Sequence, residues 1–128
     1  MLIDTNVIIW MLTSPDRFGK ETQHILEFTQ KIYISIASQY EIAIKERLGR
    51  FELLDEAEKE LGKQFITQIP ITIGQLRQLA KLKNARHRDP FDLLIIALAI
   101  EQGLTLITSD RKILAMNLPG LKILDARK

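Results

Sequence analysis

The segment FDLLIIALAI, residues 91–100, restricts the fold more than any other, because Asp92 is its only polar residue. A helix that is apolar on every side is stable only when the rest of the protein surrounds it. Pro90 suits the first position of a helix, and Gly103 is a typical helix stop. We therefore predict a central, buried helix over residues 89–102.

Segments with β-forming residues alternate with segments of helical periodicity along the chain. The predicted strands cover residues 2–3, 31–36, 68–71, 104–108 and 122–124. The predicted helices cover residues 7–12, 19–30, 38–48, 54–65, 72–80, 89–102 and 110–116. Such alternation favours an α/β fold, a three-layer α/β/α sandwich with a central parallel sheet, formed by residues 1–128 as one domain. Pro70 restricts the third strand to an edge or a strand end.

The composition is that of a soluble globular protein, with 46% hydrophobic and 27% charged residues among 128. No apolar run reaches the ~18 residues of a membrane span. The first apolar run meets Asp4 at once, so we expect no signal peptide. Because the chain has no cysteine, disulfides and thiolate zinc sites are excluded, and we expect a cytoplasmic protein.

Four acidic residues follow predicted strands or begin helices: Asp4, Glu41, Asp92 and Asp110. In open parallel sheets, ligands bind at the carboxyl ends of the strands. Carboxylates about 5 Å apart repel by roughly 3 kcal/mol per pair at an effective dielectric near 20, so a cluster needs a cation. The two histidines, His24 and His87, match no ligand spacing, which leaves oxygen ligands and favours Mg²⁺ or Mn²⁺. A phosphodiester or phosphate ester is the substrate that such an ion suits.

Each acid also has a purely structural explanation. Asp4 or Asn6, Asp89 and Asp110 could cap helices, and Asp92 would favour a helix dipole. Residues 38–41, SQYE, have the form of a capping box, and Glu41 could pair with Lys45 one turn on. Any one acid is explained in this way, but four at one edge of one sheet favour a site.

Four segments in this order resemble the PIN domains of VapC-type toxins: LIDTN, SxxEIAIKxRLGR, HRDPFDLLIIALA and LTLITSD. The resemblance covers nearly the whole chain and implies an Mg²⁺- or Mn²⁺-dependent ribonuclease, usually a homodimer, that a cognate antitoxin inhibits. By position, the family's acidic quartet falls on Asp4, Glu41, Asp92 and Asp110.

The resemblance also implies supporting roles for Thr5, Asn6 and Ser109. Asp89 is a further acid that either binds metal through water or caps the helix, and we favour the cap. Basic clusters at residues 45–50 and 81–88 stand out although the net charge is only +2. They supply candidates for holding the RNA backbone, or else solvated surface: Lys45, Arg47, Arg50, Arg86 and Arg88.

Two other functions remain open from the residues alone. The first is a non-catalytic module that binds RNA or a protein and uses a metal only structurally. The second is a phosphatase with Asp4 as nucleophile, although such enzymes usually carry a second Asp where this chain has Asn6. We further expect a homodimer that covers an apolar helical face, and an inhibitory partner that places an arginine near the acids.

Overall fold

The computed structural model describes residues 1–29, 31–50, 52–63, 65–83 and 89–128. Within them, all strand pairs are parallel and the strand order is β3-β2-β1-β4-β5. The strands are β1 Leu2–Ile3, β2 Ile32–Ser35, β3 Ile66–Ile69, β4 Thr105–Thr108 and β5 Lys122–Asp125. The helices are α1 Thr5–Thr13, α2 Lys20–Phe28, α3 Ile36–Arg47, α4 Leu54–Leu61, α5 Ile73–Ala80, α6 Pro90–Gln102 and α7 Arg111–Leu114. The predicted α/β fold is confirmed.

The neighbouring strands β1 and β4 bury both of their faces. Because successive side chains of a strand point to opposite sides, Ile3 and Ile107 enter one core and Leu2 and Leu106 enter the other. Helices α1, α3 and α4 contribute buried residues to the first core, and α6 and α7 contribute them to the second. The three layers of the predicted sandwich are therefore present.

Helix α6 is the central helix that the apolar run predicted. Its residues 95–99 are completely buried, and it ends at Gly103, whose φ of 64° is left-handed. Gly74 of α5 lies so close to α6 that a Cβ there would be 2.6 Å from Glu101 Oε1. None of the helices described is both long and apolar enough to span a membrane.

The start of α3 differs from the prediction. The helix begins at Ile36 because Ser35, the last residue of β2, is its N-cap and accepts a hydrogen bond from Ala37 N at 3.0 Å. Ser38 is inside the helix and fully buried, so the capping box at residues 38–41 was wrong. Glu41 consequently lies in the second helical turn rather than the first.

Two further element boundaries differ from the prediction. Strand β3 covers Ile66–Ile69 rather than residues 68–71, because Pro70 cannot donate to the sheet and follows the strand instead. Its predicted edge position is confirmed by the strand order. Helix α4 ends at Leu61, and Phe65 lies beyond it as a partly exposed residue before β3.

Candidate metal centre at the carboxyl edge of the sheet

The register of the sheet brings polar residues together at the carboxyl ends of its strands. Ile3 of β1 lies opposite Ile34 of β2 and Ile107 of β4, so the next positions bring Asp4, Ser35 and Thr108 to one level. The Asp4 amide donates to Ile107 O at 3.2 Å and continues the β1–β4 pairing by one residue. Asp4 therefore lies in the middle of this edge.

Both carboxylate oxygens of Asp4 accept hydrogen bonds, although its side chain is almost inaccessible. Oδ1 accepts from Val7 N at 2.8 Å, which makes Asp4 the N-cap of α1. Oδ2 accepts from the Thr108 hydroxyl. Asp4 is only 3% exposed, and Thr108 is fully buried. The carboxylate is thus fixed by a helix that follows β1 and by the end of the neighbouring strand.

Thr108 is the residue that reasoning from the acids missed. Its Oγ1 donates to Asp4 and also accepts from Asp110 N at 3.0 Å, so one hydroxyl links two of the predicted acids. The signal was present in LTLITSD, where a polar residue ends an apolar strand at the predicted site.

The pKa of Asp4 is affected by its burial and by two of the other predicted acids. Burial raises the pKa of Asp4 to about 6, against the hydrogen bonds from Thr108 and Val7, which lower it. The negative charges of Asp92 and Asp110 raise this pKa further. Asp92 lies in the first turn of α6, and Asp110 directly follows the loop after β4. Asp92 and Asp110 are therefore near enough to act on the charge of Asp4, and a cation bound there would offset this repulsion.

Glu41 joins this edge through the residue next to Asp4. Its Oε2 accepts a hydrogen bond from Thr5 Oγ1 at 2.6 Å, and Thr5 is the first residue of α1. Its Oε1 forms an ion pair with Lys45 Nζ at 3.4 Å. The Glu41–Lys45 pair, which the sequence offered as a structural explanation, is therefore formed.

Capping by the other acids is also observed. Asp110 Oδ1 accepts from Lys112 N at 2.7 Å and Ile113 N at 3.4 Å, and caps α7. Asp89 Oδ1 accepts from the first turn of α6 and is exposed, so the predicted cap at Asp89 is formed.

The remaining predicted residues are more peripheral. Asn6 is exposed and Ser109 is half-buried. Arg47 and Arg50 are exposed near the end of α3, whereas Arg86 and Arg88 lie outside the described residues.

Asp125 shows that an acid at this edge can instead be neutralised by its own chain. It lies opposite Thr108 in the β4–β5 register. The hydrogen bond from the Arg127 side chain holds the pKa of Asp125 below its usual value, with Nε 2.9 Å from Oδ1. The pKa of Asp4, in contrast, is raised above its usual value.

The donors at this edge are carboxylates and hydroxyls, which suit a hard cation. No three His, Cys, Asp or Glu side chains of the described ranges approach closely enough to enclose a metal. Mg²⁺ does not require such a cage, because it usually keeps several waters and uses one or two carboxylates. The residues present therefore fit Mg²⁺ or Mn²⁺ bound partly through water.

The chain is an α/β protein with an open parallel sheet, a class in which ligands bind at the carboxyl ends of the strands. The family model for the PIN domain matches residues 1–117, and the chain belongs to that family. It is 26% identical to "Ribonuclease VapC22" of Mycobacterium tuberculosis over 115 residues, 88% of each chain.

Solved structures share the fold at low sequence identity. VapBC2 of Rickettsia felis, bound to a promoter DNA fragment, matches with a TM-score of 0.70 and 17% identity over 96% of each chain. VapBC-1 of nontypeable Haemophilus influenzae matches with a TM-score of 0.70 and 19% identity, over 99% of this chain and 98% of that one.

Proposed function

We propose that this protein is an Mg²⁺- or Mn²⁺-dependent endoribonuclease of the VapC type, the toxin of a toxin–antitoxin pair. The observation that carries the proposal is Asp4, a buried carboxylate whose pKa is raised to about 6 with Asp92 and Asp110 among the causes. Membership of the PIN family and the likeness to a relative named as a ribonuclease support the activity.

The acids have distinct proposed roles. Asp4, Asp92 and Glu41 would hold one ion, and Asp110 with Asp4 would complete a second position if two ions act together. When bound, the ion would activate a water for in-line attack and offset the charge that develops on the phosphate. Thr108 keeps Asp4 aimed at the edge, and Asn6 and Ser109 would support the ligands from the flanking turns.

RNA is the proposed substrate because phosphodiester oxygens suit this ion and exposed arginines lie at the end of α3 and just beyond it. Arg47 and Arg50 would hold the backbone, with Arg86 and Arg88 as further candidates. Attack by water rather than by the 2′-hydroxyl would leave 5′-phosphate and 3′-hydroxyl ends. Mapping the ends of the cleaved RNA tests this directly.

We also propose a homodimer, in which a second copy covers apolar side chains around α5. Ile71, Ile73 and Leu76 are 41%, 61% and 43% exposed, and Tyr40 of α3 is 60% exposed. Tyr40 packs edge-on against Phe91, 5.4 Å away, at the start of α6. This patch therefore adjoins the helix that carries Asp92. A monomer in light scattering at micromolar concentration would contradict the dimer.

The proposed antitoxin would place a basic side chain near the carboxylates. The structural neighbours with VapBC in their titles support a protein partner of this kind. A groove of about 520 Å³ offers it a docking surface with an apolar floor that includes Met11, Phe18 and Leu26. The charged residues that line this groove are Asp16, Glu27, Glu60 and Lys63, and Lys63 is paired with Glu60 at 2.6 Å. The net negative charge of this lining favours a basic amphipathic segment. A bound partner that left nuclease activity unchanged would contradict the inhibition.

The decisive experiment incubates purified protein with labelled RNA and Mg²⁺, Mn²⁺ or EDTA. We expect cleavage with either ion and none with EDTA. RNA binding without cleavage under every condition would instead support the non-catalytic module.

A further inference from the structure

The ion pair of Glu41 and Lys45 is more sheltered than an ordinary surface pair. The Glu41 and Lys45 side chains are 16% and 23% exposed, with 3.4 Å between Oε1 and Nζ. Glu56 and Lys59 on α4 form a pair of similar length, 3.5 Å, but their side chains are 55% and 74% exposed. The α4 pair has i,i+3 rather than i,i+4 spacing, and it serves as a reference for an exposed helical ion pair.

Lys45 completes the restraint of Glu41. The hydrogen bond from Thr5 Oγ1 holds Oε2 at 2.6 Å, and Lys45 holds Oε1. A single contact would fix the position of one carboxylate oxygen but would let the carboxylate rotate about that oxygen. Two contacts, one on each oxygen, also fix the orientation of the carboxylate plane. Because Thr5 directly follows Asp4, this orientation is tied to the centre of the sheet edge.

We infer that Lys45 is a positioning residue, which orients the Glu41 carboxylate for the metal rather than binding the RNA backbone. This inference rests on the proposed function. Removing a residue that hydrogen-bonds to a metal ligand typically lowers metal affinity or activity by about 10–100-fold. The positive charge of Lys45 would by itself weaken metal binding, because it repels the ion. Solvent screens part of this repulsion, since the Lys45 side chain is partly exposed. The sign of the change in metal affinity therefore tests the assignment.

The experiment measures Mn²⁺ binding by titration calorimetry in the absence of RNA, and RNA cleavage separately. In Lys45→Met, which keeps an apolar stem, we expect Mn²⁺ to bind about tenfold more weakly. We expect kcat to fall while the KM for RNA stays the same. Lys45→Arg retains the charge and should restore both values. Lys59→Met should match the parent protein, because Lys59 is exposed and is paired with Glu56 rather than with an acid of the proposed site.

A double-mutant cycle tests whether Lys45 acts through Glu41. Glu41→Gln should weaken Mn²⁺ binding, and adding Lys45→Met to it should cause no further loss. Tighter Mn²⁺ binding in Lys45→Met would make Lys45 a competing counter-ion and overturn the inference. Unchanged Mn²⁺ binding with a raised KM for RNA would make it an RNA contact and also overturn it.

The failure of this inference differs from the failure of the proposed function. A parent protein that binds no Mn²⁺ and cleaves no RNA would refute the proposed function, and the inference with it. A parent protein that does both, with Lys45→Met equal to Lys59→Met in every measurement, would refute the positioning role alone.

Discussion

Helices α1 and α6 begin in the same way, with an aspartate that caps the first turn, yet the two aspartates have different environments. Asp4 Oδ1 accepts from Val7 N at 2.8 Å, and Asp89 Oδ1 accepts from Phe91 N at 2.9 Å and Asp92 N at 3.1 Å. Asp4 is 3% exposed with its pKa raised to about 6, whereas Asp89 is exposed. Capping a helix therefore does not exclude membership of a site.

The difference between the two caps comes from the sheet. Asp4 ends the central strand β1, so the ends of β2 and β4 lie on both sides of it. Asp89 precedes α6, and the element before it among the described residues is helix α5. The cap at Asp4 uses one oxygen, while the other is engaged by Thr108, whose own position depends on β4. Location in the sheet, rather than the local motif, distinguishes a buried carboxylate from a surface cap.

The largest expected contrast between the two caps is catalytic. Asn caps a helix about as well as Asp, so Asp4→Asn and Asp89→Asn should both keep their helices. Asp4→Asn also removes a proposed ligand charge, and we expect cleavage of RNA to fall on the order of a thousandfold. Asp89→Asn should cleave at nearly the parental rate. A fully active, folded Asp4→Asn would refute the site assignment.

The second contrast is the pH dependence of stability without metal. Because the pKa of Asp4 is about 6 in the folded protein against 3.8 ordinarily, the folded state retains a proton that the unfolded state loses. The contribution of Asp4 to the free energy of unfolding is fully present below about pH 4, and it is lost as the pH rises through about 6. The loss is about 3 kcal/mol, and saturating Mg²⁺ at pH 7 should offset part of it.

Urea unfolding between pH 4 and pH 7 measures that loss. The other titratable groups contribute equally to the pH dependence of the parent and of each variant, so their contribution cancels in the comparison. Asp4→Asn should remove this component of the pH dependence and be at least as stable as the parent at pH 7 without metal. Asp89→Asn should keep the parental profile. Identical profiles for the parent and Asp4→Asn would mean that Asp4 is not the group responsible.

A third contrast concerns Thr108, whose hydroxyl donates to the second carboxylate oxygen of Asp4. Among the contacts described for Asp89, both hydrogen bonds end on the same oxygen, Oδ1. Thr108→Val removes the hydroxyl and leaves Asp4 Oδ2 and Asp110 N each without this partner. We expect a loss of about 2 kcal/mol in the free energy of unfolding at pH 7. The pKa of Asp4 should also rise further, because the Thr108 bond lowers it. Thr108→Ser keeps the hydroxyl and should recover most of the stability; equal losses in both variants would point to packing instead.

The smallest expected effect is at Asp89 itself. Asp89→Ala removes the cap of α6 and should cost about 1 kcal/mol in thermal or urea unfolding. Asp89→Asn should cost almost nothing. If Asp89→Asn instead lowered Mn²⁺ affinity, Asp89 would belong to the metal site, and the contrast between the two helix starts would disappear.

Local patterns predicted a large part of this protein. The apolar run at residues 91–100 predicted α6 because no surface helix can consist of such residues. Alternation of strands and helices predicted the parallel sheet, and the sheet placed the acids at one edge. The start of α3 was predicted wrongly, because Ser35 and Ser38 are both good caps and only the end of β2 selects between them.

The sequence by itself determined which segments become helices and strands, and which acids follow them, because periodicity and capping act over a few residues. Only the tertiary structure decided which acids become buried and which gain a partner. Thr108 donates to Asp4 across 104 positions of the chain, and Asp4 is influenced by Asp92 and Asp110 only after the fold brings them together. Burial and charge coupling depend on distance in space, whereas the pattern of residues records distance along the chain.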